Sequence, residues 1–385
     1  MFGTRAIIDL DALTHNYNSM RQLIAPNVKI TGVVKANAYG HDLVTIGKHL
    51  ETLGVDYLGV ANIREGKALR ISGIKCPIIV MGYTFEKDYD LAVKHDITLT
   101  LFSLEEARKL NLNASYDDKK AKIHLKFDTG FNRLGYKDPE ELIESLEACL
   151  TYEFIIVEGI FTHLALDSIE SDEAQFAKFE ALMKQLREKH ISVPLKHACD
   201  SIATIAYPDK HYDMVRLGAI LYGYCSRKTP FNLKPVMSLK TNVTQVKTLE
   251  VGEAVGYDRL FVAQRRTKIA VLPIGYADGL PRSLSGKGRV MINGLLVPIV
   301  GLMCMDQCMI DVTEAGEVSL GTEVTLFDDT SPQLLELAKL AETNRNELLA
   351  RIAMRVPREF IENGSETFVI DYLEDRESQY GDTSS

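Results

Sequence analysis

The segment VKITGVVKA, residues 28–36, is a short apolar run that ends beside a lysine, and it is the first of eight similar runs. Between several of these runs lie segments with the helical spacing of apolar residues, such as DEAQFAKFEALMKQLREKH at residues 172–190. This alternation is typical of repeated βα units, and eight units predict an α/β fold, a (β/α)8 barrel of the TIM type. The other seven predicted strands begin at Tyr57, Pro77, Ile97, Lys122, Phe154, Leu195 and Met214.

The sequence changes character after Pro235, where strand-like segments are joined by glycine-centred turns. GRVMINGLLVPIVG (288–301) and EVTLFDD (323–329) are examples. They predict a separate, C-terminal, mainly antiparallel β domain.

From these two sequence patterns we predict that the barrel comprises residues 12–231 and the β domain residues 232–385. We expect residues 1–11 to pair with the β domain and Asp11 to cap the first helix. The polar residues 374–385 are predicted to form a flexible tail.

The composition is that of a globular protein, with 46% hydrophobic residues, 25% charged residues and a formal net charge of -9. The acidic balance argues against a nucleic-acid partner, and no apolar run reaches the ~18 residues that span a bilayer. The N-terminus lacks the features of a signal peptide, and the six cysteines are scattered. We therefore predict a cytoplasmic protein with no membrane partner and, despite the spacing of Cys304 and Cys308, no metal site.

Lys35 ends the first predicted strand, and barrel enzymes build their active sites at the carboxyl ends of the strands. A lysine in this position is often an ordinary solvated group. However, a partly desolvated amine on a rigid strand is also what Schiff-base chemistry with an aldehyde requires. The small residues Ala36, Ala38 and Gly40 would leave room for a flat ring beside it. The residues alone leave both interpretations open.

Nine motifs, spread over most of the chain, resemble those of the alanine racemases that combine a barrel with a β domain. The resemblance implies a homodimeric enzyme with pyridoxal 5'-phosphate (PLP) as cofactor. Its reaction would interconvert L- and D-alanine, a cell-wall precursor. The motifs are VVKANAYGHD (33–42), HLKFDTGFNRLG (124–135), GIFTHLALDS (159–168), HACDSIAT (197–204), VRLGAILYG (215–223), GEAVGYD (252–258), LPIGYADGLPR (272–282), VGLMCMDQCMIDVT (300–313) and RVPREF (355–360).

The resemblance assigns the cofactor contacts residue by residue. Lys35 would hold the cofactor covalently through its amine, and the Tyr39 hydroxyl would reach the phosphate. Further phosphate contacts would come from Ser201 and from the backbone amides of Gly218 and Ala219. Barrels commonly bind phosphate after the seventh and eighth strands, where these three residues lie.

In this family the arginine that matches Arg216 hydrogen-bonds the pyridine nitrogen of the cofactor. A guanidinium only donates hydrogen bonds, so that nitrogen stays unprotonated and the ring is a weaker electron sink. We expect this to favour return of the proton over transamination and elimination.

Racemisation needs a proton-transfer group on each face of the α-carbon. The resemblance assigns Lys35 to one face and Tyr257 to the other. The unperturbed pKa of tyrosine, about 10, is high for a base, so its phenolate must be stabilised. His163 would do this together with Arg216, and His197 would belong to the same network.

The methionine that matches Met305 comes, like the tyrosine base, from the second subunit, so the active sites would be shared across a homodimer. Met305, Tyr276 and Asn346 would line the substrate site. Arg133 would contact the cofactor and the substrate carboxylate, and Lys126 is the position that is carbamylated in many members.

Three positions depart from the family pattern: Asp200 replaces an asparagine, Leu302 an arginine and Asn346 a tyrosine. Asn346 is smaller than tyrosine and could form a hydrogen bond with the hydroxymethyl group of a serine substrate. The same replacement of tyrosine by asparagine resembles the serine racemases of glycopeptide-resistance systems. We therefore predict serine as an additional substrate, with serine racemisation as the main activity as an alternative.

Two further alternatives are a PLP-dependent decarboxylase of the same architecture and a non-catalytic cofactor carrier. The decarboxylase would need space for a long basic side chain and usually has a glycine-rich phosphate loop, and neither is evident here. Carriers have a single domain, so the predicted β domain with Tyr257 argues against that class.

Overall fold

The computed structural model describes residues 3–330 and 333–374. The predicted domain boundaries, 12–231 and 232–385, remain a prediction, and residues 375–385 of the predicted tail lie outside the described residues. The chain forms two compact units, a barrel unit of Thr14–Ala38 and Asp42–Leu233, and a β unit of Met1–Leu13, Tyr39–His41 and Lys234–Ser385.

After strand β1 (Arg5–Asp9), which belongs to the β unit, the chain forms an eight-stranded parallel sheet in the barrel unit. Its strands are β2 (Lys29–Val33), β3 (Tyr57–Val60), β4 (Ile78–Val80), β5 (Thr98–Leu101), β6 (Ala121–Lys126), β7 (Ile155–Phe161), β8 (Leu195–His197) and β9 (Met214–Leu217). Their order is β8-β7-β6-β5-β4-β3-β2-β9, and hydrogen bonds from Asp213 N to Lys196 O and from Arg216 N to Cys199 O, both 3.0 Å, connect its two ends. All eight predicted strands are present, and the predicted barrel is confirmed.

The barrel strands are apolar because both of their faces are covered. Strands β3, β4, β5 and β9 are buried at every position, as expected for parallel strands packed between helices and a filled interior. Tyr57, Ile79 and Met214 form a buried cluster inside the barrel. His124 on β6 and His197 at the end of β8 are equally buried, so their ring nitrogens depend on partners within the protein.

Helices follow most of the strands, and polar side chains fix where several of them begin. Ser103 and Ser168 accept hydrogen bonds from the backbone of the first turns of the helices they precede. Among the described residues, no helix is both long and apolar enough to cross a membrane. The helical elements of this part of the chain are α1 (Leu10–Leu23), the left-handed turn α2 (Lys35–Tyr39), α3 (Leu43–Thr52), α4 (Ile63–Ile71), α5 (Tyr89–Lys94), α6 (Leu104–Tyr116), α7 (Pro139–Thr151), α8 (Ile169–Glu188) and α9 (Ser201–Ala206).

The predicted cap of the first helix is wrong. Asp9, not Asp11, accepts a hydrogen bond from the backbone N of Ala12, at 2.8 Å. Asp11 lies inside the first turn, and its carboxylate accepts from the backbone N of Gly364 at 3.0 Å. Strand β1 pairs as far as Asp9, so the helix starts directly after the strand.

The β unit contains a ten-stranded sheet with the order β11-β14-β17-β16-β15-β18-β10-β1-β19-β20, and a small β12–β13 sheet. Its elements are β10 (Met237–Asn242), β11 (Gln245–Leu249), β12 (Ala254–Val255), β13 (Phe261–Val262), β14 (Thr267–Leu272), β15 (Arg289–Ile292), β16 (Leu295–Val300), β17 (Cys308–Asp311), β18 (Glu323–Phe327), α10 (Leu334–Leu340), α11 (Arg345–Ala350), β19 (Arg358–Glu362) and β20 (Ser365–Ile370). β1 pairs antiparallel with β10 and parallel with β19. The other described pairs of this sheet are antiparallel, so the predicted mainly antiparallel β domain is confirmed.

Candidate active site

Strand β2 ends at Val33, two residues before the predicted strand end, and Lys35 begins a left-handed turn after Val34. Ala36, Asn37 and Ala38 have φ angles of 55°, 54° and 52°, and Tyr39 has a φ of 53°. Left-handed backbone costs about 1–2 kcal/mol per residue for side chains other than glycine. Four such residues in a row therefore need support from elsewhere in the structure, and strain of this kind is concentrated at functional sites.

Specific hydrogen bonds support the turn. Within it, Ala38 N donates to Val34 O at 2.8 Å. The Asn37 side chain accepts from Leu43 N, and the Glu65 carboxylate accepts from Ala36 N, both at 2.8 Å. Alanine has no local preference for this conformation, so partners distant in sequence hold the backbone that carries Lys35.

The Lys35 amine lies in a partly buried, positively charged environment. Burial, followed by the nearby charge of Arg133, lowers the pKa of this amine, while Glu65 acts in the opposite direction. Lys35 therefore loses its proton more readily than an exposed lysine. That property suits a residue that must act as a nucleophile or a base near neutral pH.

Lys126 and Arg133 stand close to this amine. Burial, and then the charge of Arg133, lowers the pKa of Lys126 to about 8. The Arg133 guanidinium lies over the ring of Phe131, 4.3 Å from its centroid. The Asp128 carboxylate orders the connecting loop by accepting from the backbone N of Asn132 at 3.0 Å. Asp128 thus orders the loop between Lys126 and Arg133, and the charge of Arg133 acts on the Lys126 amine.

Arg216, on strand β9, is the centre of a buried hydrogen-bond network. Its Nη1 donates to His197 Nδ1 at 2.8 Å, and its Nη2 donates to the carbonyl oxygens of Thr162 and Ala198, both at 2.9 Å. Nη2 also lies 3.3 Å from His163 Nδ1. Carbonyls and imidazoles, which carry no negative charge, therefore fix the direction of the guanidinium.

The network keeps its histidines neutral and its arginine charged. Burial, followed by the charge of Arg216, holds the pKa of His163 and of His197 well below the usual value. Burial lowers the pKa of Arg216 to about 10, so the guanidinium is still protonated at neutral pH. Since Arg216 can only donate, the imidazole nitrogens that face it must accept.

Three of the predicted phosphate contacts, Ser201, Gly218 and Ala219, follow strands β8 and β9, whereas Tyr39 ends the left-handed turn after strand β2. Ser201, the first residue of helix α9, accepts a hydrogen bond at Oγ from Gly218 N at 2.8 Å. The bond leaves the hydroxyl hydrogen of Ser201 for another acceptor. Gly218 and Ala219 begin a tight turn, in which Leu221 N donates to Gly218 O at 2.9 Å.

Four cationic side chains of the candidate site form no salt bridge within the described part of the chain. Among the described residues, Lys35, Lys126, Arg133 and Arg216 take part in no salt bridge. The charges of Arg133 and Arg216 depress the pKa of both lysines. A phosphorylated ligand with a phenolic oxygen would compensate this excess charge, so the residues present fit the predicted PLP.

The β unit carries the other predicted site residues. Tyr257, Tyr276 and Met305 line one cavity of about 420 Å³. The turn at Tyr276 is bonded to the Met305 segment, since Ala277 N donates to Met305 O at 3.0 Å. A Cβ on Gly275 would lie 2.3 Å from Cys304 O, so only glycine permits this close approach.

Tyr257 and Asn346 are placed differently within that unit. Tyr257 begins a short 3-10 turn, and 68% of its surface is exposed. Asn346 is exposed on the first turn of α11 and is not among the residues that line the cavity. Leu302, the second departure from the family pattern, is half-buried, with its backbone O 3.7 Å from a Cβ built on Gly256.

The structure adds two residues that the sequence did not single out. The Phe161 ring contacts two cations: its centroid lies 5.3 Å from Arg216 Cζ and 5.7 Å from Lys126 Nζ. The same ring stacks on the His197 ring, with a distance of 4.6 Å between the centroids. His124 Nδ1 lies 2.9 Å from His197 Nε2. Both residues lie inside motifs of the family resemblance, Phe161 in GIFTHLALDS and His124 in HLKFDTGFNRLG. In the sequence, however, each is simply one residue of a predicted buried strand, so neither stood out as a site residue.

Comparisons with known proteins agree with this geometry. Residues 8–226 match the family described as alanine racemase, N-terminal domain, and residues 236–360 match alanine racemase, C-terminal domain. An alanine racemase of Methanococcus maripaludis is 42% identical over 367 residues, which is 92% of this chain and 98% of the relative. Alanine racemase 1 of Caldanaerobacter subterraneus is 38% identical over 379 residues, which is 96% of this chain and 98% of the relative.

Solved structures show the same similarity. An alanine racemase of Clostridium difficile 630 superposes with a TM-score of 0.93 at 36% identity, covering 97% of this chain and 99% of that chain. The alanine racemase of Bacillus anthracis with bound L-Ala-P gives a TM-score of 0.92 at 34% identity, with the same coverage.

The role of Asp200 as a helix cap can be tested directly. Its carboxylate accepts from the backbone N of Ile202 and of Ala203, at 2.9 and 3.0 Å. Asparagine caps a helix equally well, so Asp200→Asn should unfold at the same urea concentration as the parent. Asp200→Ala should lose about 1 kcal/mol of unfolding free energy. Equal stability of the alanine and asparagine variants would contradict the capping role.

Proposed function

The chain belongs to the alanine racemase family, and from that premise we propose that it works by a two-base mechanism with Lys35 and Tyr257 as the bases. It is a PLP-dependent isomerase that interconverts L- and D-alanine. The observation that carries the proposed mechanism is the buried network in which Arg216 donates to His197 and approaches His163.

Bound PLP supplies an electron sink that makes the α-hydrogen of the amino acid acidic. In the proposal, Lys35 holds the cofactor and Ser201 binds its phosphate. Arg216 would donate a hydrogen bond to the pyridine nitrogen, and because a guanidinium has no lone pair to offer, that nitrogen would have to accept and stay unprotonated. The cations without salt-bridge partners support this assignment.

Lys35 serves as the base on one face of the α-carbon. Burial and the charge of Arg133 lower the pKa of its amine, so a larger fraction is neutral at physiological pH than for an exposed lysine. Only the neutral amine has the lone pair that removes a proton. The left-handed turn fixes the backbone from which the Lys35 side chain extends.

Tyr257 serves as the base on the opposite face, with His163 as its support. Arg216 Nη2 faces His163 Nδ1 at 3.3 Å, so Nδ1 accepts and Nε2 carries the hydrogen. A neutral imidazole of this tautomer can donate to a phenolate oxygen. The charge of Arg216 behind the ring strengthens that donation.

In the proposal, Arg133 binds the substrate carboxylate, and the charge state of Lys126 affects the orientation of the Arg133 guanidinium. The pKa of Lys126, about 8, leaves an appreciable neutral fraction of its amine near pH 7 to 8. A neutral amine can react with carbon dioxide, so this environment supports the proposed carbamylation. The resulting anion would replace a repulsion between Lys126 and Arg133 with an attraction.

We propose a homodimer in which Tyr257 and Met305 complete the site of the partner subunit. The support is their exposure, 68% for Tyr257 and 54% for Met305, together with that of the nearby apolar residues Val251 and Leu260. Exposed apolar patches commonly mark protein interfaces. The predicted cytoplasmic setting belongs to this proposal too, supported by six cysteines that are all free thiols.

Serine is the proposed second substrate. The family usually has a tyrosine at the position of Asn346, and the exposed amide here offers both a donor and an acceptor. A site that bonds a hydroxyl can prefer the hydroxylated substrate, whereas an apolar pocket discriminates weakly between the two.

Tyr257→Phe should lower racemisation by about 100-fold or more while cofactor still binds, because the change removes a positioned base. Deuterium should then enter the α-carbon from solvent with only one enantiomer, the one whose α-hydrogen faces Lys35. Tyr116→Phe, at a tyrosine that is 76% exposed on the barrel, is the matched control and should behave like the parent. Equal deuterium incorporation from both enantiomers in Tyr257→Phe would rule out this assignment.

Mixing Lys35→Ala and Tyr257→Phe subunits tests the shared site. Each variant by itself should have little or no activity, but a hybrid dimer contains one site with both native bases. With random exchange, about a quarter of all sites regain both bases, and activity should recover in proportion. Fluorescent labels on the two variants would verify that their subunits exchange. Exchange without recovery of activity would mean that each chain builds its own site.

Asn346→Tyr should lower kcat/KM for serine more than for alanine. The lost hydrogen bond contributes about 1 kcal/mol, and each tenfold fall in the serine-to-alanine ratio corresponds to about 1.4 kcal/mol. Asn346→Ala removes the amide without filling the space, so it separates the effect of the lost hydrogen bond from the effect of the larger tyrosine ring. A ratio that does not change in either variant would remove serine from the proposal.

A further inference from the structure

His124 is a fully buried histidine on strand β6 that the proposed mechanism leaves without a role. Its Nδ1 lies 2.9 Å from His197 Nε2, and the two rings meet edge to face with centroids 5.1 Å apart. A Cβ on Gly159 of the neighbouring strand would lie 2.5 Å from the His124 ring. The glycine therefore leaves room for an imidazole at this position.

The hydrogen-bond pattern fixes the hydrogens along the chain from Arg216 to His124. Arg216 Nη1 donates to His197 Nδ1 at 2.8 Å, so this Nδ1 carries no hydrogen. His197 Nε2 must then carry the hydrogen and donate to His124 Nδ1. It follows that His124 carries its own hydrogen on Nε2. One arginine thus sets the tautomers of two neutral histidines.

Packing alone does not account for His124. Among the described residues, its Nε2 has no hydrogen-bond partner, although the atom is buried. An unsatisfied buried donor is unfavourable, and an apolar side chain of similar size would avoid the loss. The benefit of an imidazole here is the acceptor at Nδ1, which is used by His197.

We propose that His124 is a positioning residue that locks the tautomer of His197 and, through it, the direction of the Arg216 guanidinium. Without an acceptor at His124, the hydrogen on His197 Nε2 would be unsatisfied. The alternative tautomer of His197 would place a hydrogen against the donor of Arg216. The first outcome is unfavourable because it buries an unsatisfied donor, so the second becomes populated, and the second loses the hydrogen bond that orients the guanidinium. The inference rests on the role of Arg216 in the proposed function, because its consequence for catalysis passes through that residue.

The test compares three substitutions in the full-length protein. His124→Leu removes the acceptor, and His124→Asn restores an acceptor near the position of Nδ1. His124→Gln is polar, but its amide extends towards the position of Nε2. His211→Leu is the matched control, because His211 is also buried but bonds the backbone oxygen of Thr204, at 2.9 Å.

The first readout is the tautomer of His197, measured by 15N NMR on protein labelled at histidine, with and without added PLP. The parent, His124→Asn and His211→Leu should show Nδ1 unprotonated and Nε2 protonated. His124→Leu and His124→Gln should show a mixture of tautomers. This measurement does not depend on activity, and the asparagine and glutamine pair decides the matter if the leucine variant fails to fold.

The second readout is steady-state kinetics with alanine. Loss of one orienting hydrogen bond should lower kcat by roughly tenfold in His124→Leu and His124→Gln, with little change in KM, and His124→Asn should recover most of it. An unchanged His197 tautomer in His124→Leu and His124→Gln would overturn the inference, as would an equal kinetic loss in His211→Leu. A parent protein without racemase activity but with the expected tautomer would instead contradict the proposed function.

Discussion

The site depends on a buried cation that has no carboxylate partner among the described residues. The Arg216 side chain is almost fully buried, and the carbonyls of Thr162 and Ala198 and the Nδ1 of His197 accept its hydrogen bonds. A carboxylate in their place would neutralise the charge, whereas dipoles orient the guanidinium and leave its charge available. That charge adds to the effect of burial in lowering the pKa of His163 and His197, and it attracts an anionic cofactor.

A second constraint is the close approach of backbone segments within the β unit. Arg358 is fully buried and donates to Gly40 O from both Nε and Nη2, at 3.1 and 3.0 Å. A Cβ on Gly40 would lie 2.1 Å from Leu349 O, so glycine is required at the end of the left-handed turn that begins at Lys35. Arg355 binds Asp278 and Asp306, both at 2.7 Å, and so holds together the segments that carry Tyr276 and Met305. Through Arg355 and Arg358, the RVPREF motif thus positions these segments.

The departures from the family pattern illustrate how differently a substitution can act. Asp200 caps helix α9 as an asparagine would, and its charge lies near enough to Arg216 to raise the pKa of that guanidinium slightly against the effect of burial. Asn346 stands exposed on α11, where a change of side chain costs little stability but alters the groups offered to a ligand. The first change is therefore conservative for the fold, and the second is a candidate for a change of specificity.

Much of the fold and several site residues could be predicted from the sequence because they depend on local patterns. The alternation of apolar runs and helical spacing predicts eight strands, and a strand that ends at Lys35 puts an amine at the active-site end of a barrel. The motif order then selected Arg216 and Tyr257 as site residues through the resemblance to a family. What could not be predicted depends on partners that are distant in sequence.

Only the tertiary structure decided the left-handed backbone from Ala36 to Tyr39, since alanine by itself favours a right-handed helix and Glu65 must accept the Ala36 N–H to hold the turn. It also decided that Asp9 caps the first helix, because pairing extends strand β1 to that residue. The tautomers of His197 and His124 follow from contact with Arg216, which lies on another strand. The sequence determines which groups are present and along which elements they lie. Hydrogen bonds between elements then determine their conformation and protonation, because each such bond is formed only when segments far apart in the chain come together.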